Sequence, residues 1–358
     1  MATSGTVSQT TYSVKEIINQ AVRLCKIPTP DITAENLLTA KQDLFLLLSS
    51  LANQGAPLWC IEKVILPMET NQIELKTPVG TVDIMNGNFR SMSRLVGAYT
   101  SSPGGIANYA FDSDYETACI QTGPDGFLSI NFGSNLNTGT TSLVTTVGIM
   151  PFGDQTYDLE FQRSDDGITW TTALAPGETA YVDKKWVWYD IDSNLAAQYF
   201  RVREIGGGTL ALREFYVANT PLEIPLARMN RDDYTNLPNK TFSSNRSLQY
   251  WFDRQRVQPV MYLWPAPNYA ASFNQIVIWR QRQIQDVTNF TQEIDVPQRW
   301  LDAIVFSLAY RLALKLPNVA ADMSILKGEM REAMYYAQAE ERDRSPVYFQ
   351  ANISPYTR

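Results

Sequence analysis

The chain of 358 residues contains no histidine. That absence removes the commonest general base, the commonest metal ligand and every Ser-His or Cys-His nucleophile pair. An enzyme built on this sequence would have to work with carboxylates, Lys or Tyr, as glycosidases do. Nothing in the pattern singles out two carboxylates as an acid and a base, so the chain reads as non-enzymatic. Cysteine is scarce as well: Cys25, Cys60 and Cys119 stand far apart and form no CxxC pair, which argues against zinc and redox motifs. Long hydrophobic runs are missing, because 44–48 and 303–316 are interrupted by polar residues well short of a bilayer span. The opening Met1-Ala-Thr-Ser-Gly-Thr has no basic patch followed by an apolar stretch. A soluble protein made in a cytoplasm is therefore expected, where structural disulfides are disfavoured. Positive charge is also in short supply, 30 Lys and Arg against 37 Asp and Glu, for a net charge of −7. Gripping nucleic acid needs phosphate-neutralising clusters. Only a scattered run, Arg246, Arg254, Arg256, Arg280 and Arg282, comes near one. Tight DNA binding is disfavoured, whereas a surface that DNA slides past is compatible. The triplet Gly206-Gly207-Gly208 lacks the Lys-Ser/Thr of a phosphate loop.

What is present divides by character along the chain, and the length favours two domains. Ser13-Val-Lys-Glu16 fits a capping box, followed by Ile17, Ile18, Ala21 and Val22 at helical spacing. Pro28 and Pro30 break that helix. A second starts near Thr33, with Leu37, Leu38, Lys41, Leu44, Phe45, Leu48 and Leu51 expected on one broad face, and Gly55 and Pro57 stop it. Strand-like pieces follow at 59–67, 72–75 and 82–85. From 97 to 219, Gly, Ser, Thr and Asn become frequent and helical periodicity disappears. Short β-rich runs at 126–132, 143–150, 157–163, 186–189, 199–204 and 212–217 are separated by turn signals such as Asp125-Gly126 and Asp166-Gly167. That is the signature of an antiparallel sandwich or jelly roll. Aromatic strands at 249–252, 260–264 and 275–280 come next, with Trp264-Pro-Ala-Pro267 as a rigid turn. Pro297 suits the first turn of a long helix carrying Trp300, Leu301, Ile304, Val305, Leu308, Ala309 and Leu312, which Pro317 ends. A last helix is expected over about 320–342.

Helices thus bracket a complete sandwich, which reads as an insertion into a helical domain. The expected class is α+β with two domains: a helical core with a small β element, plus an inserted antiparallel, galactose-binding-like β-sandwich. The boundaries are 1–96 and 220–344 for the helical domain, 97–219 for the insert and 345–358 for a C-terminal tail.

Two resemblances attach to these segments. The pieces Tyr12-Ser-Val-Lys-Glu-Ile, Leu51-Ala-Asn-Gln-Gly-Ala-Pro-Leu-Trp59, Met261-Tyr-Leu-Trp-Pro-Ala-Pro267 and Val296-Pro-Gln-Arg-Trp-Leu-Asp-Ala-Ile304 resemble, in order and spacing, the head-to-tail adaptor family of short-tailed phages. These are also called packaged-DNA-stabilisation or head-completion proteins. The resemblance implies a virion structural protein of the neck, assembled in the host cytoplasm. It would form a ring of about twelve copies beneath the portal, extend the DNA channel, help retain packaged DNA and seat the tail nozzle or fibres. DNA would pass the lumen without sequence-specific binding, and no membrane is involved. The middle resembles the discoidin, or coagulation factor V/VIII type C, domain, through Ala110-Phe-Asp-Ser-Asp-Tyr-Glu-Thr117, Ser164-Asp-Asp-Gly-Ile-Thr-Trp170, Tyr199-Phe-Arg-Val-Arg203 and Leu212-Arg-Glu-Phe-Tyr-Val217. The family usually carries Trp where this chain has Cys119, so packing there must differ.

The second resemblance implies a structural calcium ion enclosed by Asp112, Asp114, Thr117 and Glu214, an oxygen set suited to a hard cation. The plainer reading is an Asx-type turn closed by Asp112 and Thr117. No other cofactor is expected. Tyr109, Tyr115 and Trp186 are candidate platforms for a sugar ring, against the alternative that they are core or rim aromatics. Glycan binding through the sandwich is the runner-up function, and a histidine-free glycosidase a third. At the C-terminal end Tyr335, Tyr336, Tyr348, Phe349 and Tyr356 are candidates for the portal interface, since unpartnered aromatics are enriched at interfaces.

Overall fold

A computed structural model describes residues 12–27, 33–52, 58–134, 140–192, 195–317 and 319–341. Its helices are α1 (Val14–Leu24), α2 (Ala34–Ala52), α3 (Arg231–Thr235), α4 (Gln298–Ala313) and α5 (Met323–Glu340). The strands of the first half are β1 (Ile61–Pro67), β2 (Glu74–Lys76), β3 (Thr81–Arg94), β4 (Ala98–Ser101), β5 (Cys119–Ile120), β6 (Phe127–Asn131), β7 (Thr146–Pro151), β8 (Gln155–Ser164) and β9 (Thr171–Tyr181). Those of the second half are β10 (Val187–Asp190), β11 (Tyr199–Glu204), β12 (Ala211–Pro225), β13 (Ala227–Arg228), β14 (Ser243–Ser244), β15 (Gln249–Asp253), β16 (Val260–Trp264), β17 (Ala266–Pro267) and β18 (Gln275–Arg282). The fold is mostly β, with an antiparallel sandwich and a few helices. The described residues fall into two compact units. One is drawn from Met1–Lys63, Pro78–Met85 and Trp279–Ala351, the other from Val64–Thr77 and Asn86–Ile278.

In the first unit, α1, α2, α4 and α5 share one hydrophobic cluster: Ile17, Ile18, Leu44, Leu48, Ile304, Leu308 and Leu312 are all fully or almost fully buried. The start of α1 is fixed locally. Ser13 Oγ accepts the Glu16 N–H at 3.3 Å while the Glu16 carboxylate accepts the Ser13 N–H at 2.8 Å, so two of the helix's otherwise unpaired donors are satisfied. Asp322 caps α5 by accepting from Ser324 N–H at 2.8 Å. The far end of α5 is tied by Glu341, whose carboxylate accepts from Leu58 N–H at 2.6 Å, Arg299 at 2.8 Å and the Trp300 indole at 3.3 Å. Pro297 stands as the N-cap of α4, one position before the first turn expected for it. The inner face of α2 also departs from expectation: Ala40, Leu44, Leu47, Leu48 and Leu51 point inward, whereas Leu38 and Phe45 face solvent. Two of the seven residues assigned to one face, Leu38 and Phe45, thus lie off it, because consecutive apolar residues such as 44–48 carry no sharp helical period to read.

The second unit holds the sandwich. One sheet runs β4-β6-β11-β8-β9, and the other carries β3-β12-β7-β10 with β5 also on β12. Between them lie Leu128, Ile130, Val147, Ile149, Leu159, Phe161, Phe200, Val202, Phe215 and Val217, the inward positions of alternating strands. Every residue of β7 is buried, since its other face is covered by a second cluster of Met92, Met150, Trp186, Trp188, Tyr216 and Ala218. Gly148 makes room there: a Cβ on it would lie 2.3 Å from the Trp188 ring, its cross-strand partner. Sequence periodicity overlooked β9. Its residues are mostly exposed or half-buried and include Ala175-Pro-Gly177, so no alternation marks it. The strands β3 and β12 are longer than their apolar cores suggested, pairing through Asn219↔Ser93 and onward to Pro225↔Asn88. A buried Arg90 links them through partly exposed carboxylates: it donates to Glu223 at 2.6 Å and to Asp190 of β10 at 2.7 Å. The Trp264-Pro265 peptide, at the expected rigid turn, is cis.

Candidate functional site

The loop 110–117 was the sharpest candidate in the sequence, and its backbone explains why it turns as it does. Asp112 Oδ1 accepts the Asp114 N–H at 2.9 Å, and Asp114 Oδ1 accepts the Glu116 N–H at 3.0 Å, two successive Asx turns. Thr117 Oγ1 donates to Asp112 Oδ2 at 2.9 Å and lies 3.0 Å from the Asp114 carbonyl. The plainer of the two readings is therefore present in full. Glu214, on β12, is completely buried. Its Oε2 accepts from Arg94 Nη2 at 2.9 Å. The same nitrogen lies 3.1 Å from the Ala110 carbonyl and 2.9 Å from the Phe215 carbonyl, while Arg94 Nη1 donates to Ser113 Oγ at 2.9 Å. A guanidinium thus stands among oxygens of the opening loop and the final strand. The four residues named for calcium have these protein partners: Asp112, Asp114 and Thr117 bond one another and loop N–H groups, and Glu214 bonds Arg94. Among the described residues no group of three or more acidic or thiol side chains converges on a metal position. Burial outweighs the lowering effect of the Arg94 charge and leaves the Glu214 carboxyl raised to about 7.

Arg94 went unnoticed in the sequence. It precedes the loop by about one strand, outside both motifs, and only the pairing of β3 with β12 brings it to Glu214.

The candidate sugar platforms separate. Trp186 is 4 % exposed and stacks on Trp188 with centroids 4.7 Å apart, so it offers no free ring face. Tyr115 is half-buried, its hydroxyl 2.7 Å from Ser272 Oγ and 3.1 Å from the Trp186 indole nitrogen, and burial raises its pKa. Both belong to the inner aromatic layer, and the burial of Trp186 leaves it no face for a sugar ring. Tyr109 alone of the three is exposed. A different, polar cleft of about 340 Å³ lies at one end of the sandwich, lined by Arg163, Ser164, Asp165, Asp166, Thr169 and Leu195 among others. Its rim is rigid: Asp166 accepts from Thr169 N–H at 2.7 Å, Ile168 N–H at 2.8 Å and Ser164 Oγ at 2.8 Å, and those bonds hold its carboxyl far below the usual carboxylate range.

In the helical unit, Tyr335 and Tyr336 on α5 are exposed, as are Leu38, Phe45 and Leu46 on α2. Tyr348, Phe349 and Tyr356 lie outside the described residues. Two members of the arginine run are engaged within the protein. Arg280 is bonded to Glu62, to the Pro78 carbonyl and to Thr81, and Arg282 is bonded to Asp295.

No family model matches the chain, and no curated protein matches it. Solved structures similar to it are carbohydrate-binding modules. A chitosan-binding module 1 derived from the chitosanase/glucanase of Paenibacillus sp. IK-5 is 20% identical over 36% of this chain and 99% of the module, with a TM-score of 0.30. CBM62 from Clostridium thermocellum Xyl5A is 20% identical over 36% and 98%, with a TM-score of 0.31. The family 32 module of C. perfringens NanJ, solved with galactose, is 18% identical over 37% and 99%, with a TM-score of 0.28. Scores and identities this low leave the ligand to be argued from the chain's own residues.

Proposed function

We propose that the chain is a structural subunit of a phage neck, an adaptor that packs side by side in a ring beneath the portal and is not an enzyme. One observation carries this reading: segments from opposite ends of the chain fold onto a single helical core, α1 and α2 with α4 and α5, while large apolar side chains on α2 and α5 face outward. A helical body that buries its inner faces and keeps Leu38, Phe45, Leu46, Ile325, Tyr335 and Tyr336 in solvent has surface left for partners. The α2 side would meet a neighbouring copy and the α5 side the portal. The net charge of −7 multiplies with copy number, so a lumen lined by even part of it repels DNA phosphates. Mass measurement of the purified protein, alone and mixed with portal, tests the proposal. A monomer that becomes a ring in the mixture is expected, and a protein that never associates with portal sinks it.

The second reading is glycan binding by the sandwich, favoured by the rigid polar cleft at its end. Here the sugar hydroxyls would face Arg163, Asp165 and Thr169 rather than the buried Trp186. A glycan array on the full chain separates the two: specific binding lost in Asp165→Ala supports this reading, and a blank array removes it.

A further inference from the structure

We infer that Arg94 takes the place of a metal ion in this sandwich, closing the opening loop onto the final strand with a covalently attached cation. Both ends of its guanidinium are used. Nη2 faces the Ala110 carbonyl, the Phe215 carbonyl and Glu214 Oε2, and Nη1 faces Ser113 Oγ, all within 3.1 Å. The oxygens come from two segments, loop 110–113 and β12, which also meet through the Phe111 and Phe215 rings, 5.7 Å apart, in the sandwich core. A divalent cation would bridge such segments by accepting their lone pairs, and the guanidinium does so by donating hydrogen bonds in a fixed plane. The rings of Phe111 and Tyr216 flank it at 5.4 and 5.1 Å, completing an environment that stabilises a cation. Arg94 is itself only 13% exposed and Glu214 fully buried, so neither charge can be left alone without loss. One carboxylate oxygen, Glu214 Oε1, has no hydrogen-bond partner. The carboxylates of Asp112 and Asp114, which a metal would recruit, are meanwhile spent on Asx turns.

Two consequences follow from this exchange. The natural chain is indifferent to calcium. Removing the guanidinium leaves a vacated cage of two carbonyls, a hydroxyl and an unpaired buried carboxylate, and that cage takes a hard cation instead. The test is thermal melting of the full chain and of Arg94→Ala, each in EDTA and in millimolar calcium chloride. The expected result is no change for the natural chain, a lower Tm for Arg94→Ala in EDTA, and recovery of roughly 4–8 °C of that loss with calcium. Arg94→Ala/Glu214→Gln should show no recovery. If Arg94→Ala does not fold in EDTA, refolding is compared with and without calcium, and folded protein only in calcium is the supporting outcome. A calcium-raised Tm in the natural chain, an Arg94→Ala protein as stable as the natural one in EDTA, or one that calcium does not rescue, each overturns the inference.

Discussion

Leu44 and Phe45 are neighbours in α2 with opposite fates, the first fully buried and the second 41% exposed. Substituting each in turn separates folding from assembly. Leu44→Ala removes three heavy atoms from the centre of the helical cluster, and a buried Leu→Ala change costs about 2–5 kcal/mol, depending on how far the cavity collapses. Phe45→Ser strips a ring that the monomer covers only partly, and surface changes of that kind stay within about 0.5 kcal/mol. The ring matters elsewhere under the adaptor proposal. A Phe side chain has about 200 Å² to bury, so the exposed fraction leaves about 80 Å² for a neighbouring copy. At about 25 cal/mol per Å² that area is worth about 2 kcal/mol, and ordering the ring at the interface trims it to about 1–2 kcal/mol. Each subunit contact should therefore weaken by roughly five- to thirtyfold, compounded around a closed ring. Urea denaturation of the monomer and mass measurement with portal read the two effects independently. The expected pattern is a destabilised monomer for Leu44→Ala, and an intact monomer that fails to close rings for Phe45→Ser. If Phe45→Ser unfolds as readily as Leu44→Ala, or forms rings at the same concentration as the natural chain, the reasoning is wrong.

Three further predictions concern the fold. Glu341→Ala should cost about 2–3 kcal/mol in the helical unit, since it removes a charged acceptor from Leu58, Arg299 and Trp300; a loss under 0.5 kcal/mol in urea would refute this. Burial raises the Glu341 pKa, but those hydrogen bonds outweigh it and the net shift is downward. Its contribution is thus present above the unfolded value near 4.5 and lost as pH falls through the folded value, which a series of melts from pH 6 to 3 on the natural chain and Glu341→Gln will reveal as a difference that shrinks with acid. Gly148→Ala should destabilise the sandwich by about 1–3 kcal/mol, because the new methyl meets the Trp188 ring at 2.3 Å; an unchanged Tm would mean the ring has room to move. Ser13→Ala should cost about 1 kcal/mol by removing one half of the capping box, and Ser13→Asp should restore most of it.

The candidate site was legible to different depths. The Asx turn at Asp112 was readable, because its side chain bonds a backbone donor two residues on, whereas the second one, at Asp114, emerged only in the structure. The pairing of Glu214 with Arg94 was not readable, since the two lie far apart along the chain. Trp186 looked the same on paper whether it lay in a core or on a rim. Only the second hydrophobic layer behind β7, built from Met92, Trp188, Tyr216 and Ala218, removed it from solvent. The polar cleft at the sandwich end carried a signal in Asp166-Gly167, which marked a turn but not that the turn bordered a cavity.

What the amino-acid order determined by itself is whatever near neighbours decide: the capping box at Ser13, the start of α4 after Pro297, and the alternation that places Leu128 and Ile130 or Phe200 and Val202 on one side of a strand. Those depend on bonds and periods spanning a few residues, and they can be read without the rest of the chain. Tertiary structure decided the inner face of α2, the half-exposed strand β9 and the company of Arg94 and Glu214. In each case the local sequence is compatible with more than one environment, and the choice falls to groups brought in from more than a hundred residues away or from the opposite sheet. A buried charge makes that choice the most sharply, because its cost is set entirely by the partner that packing supplies.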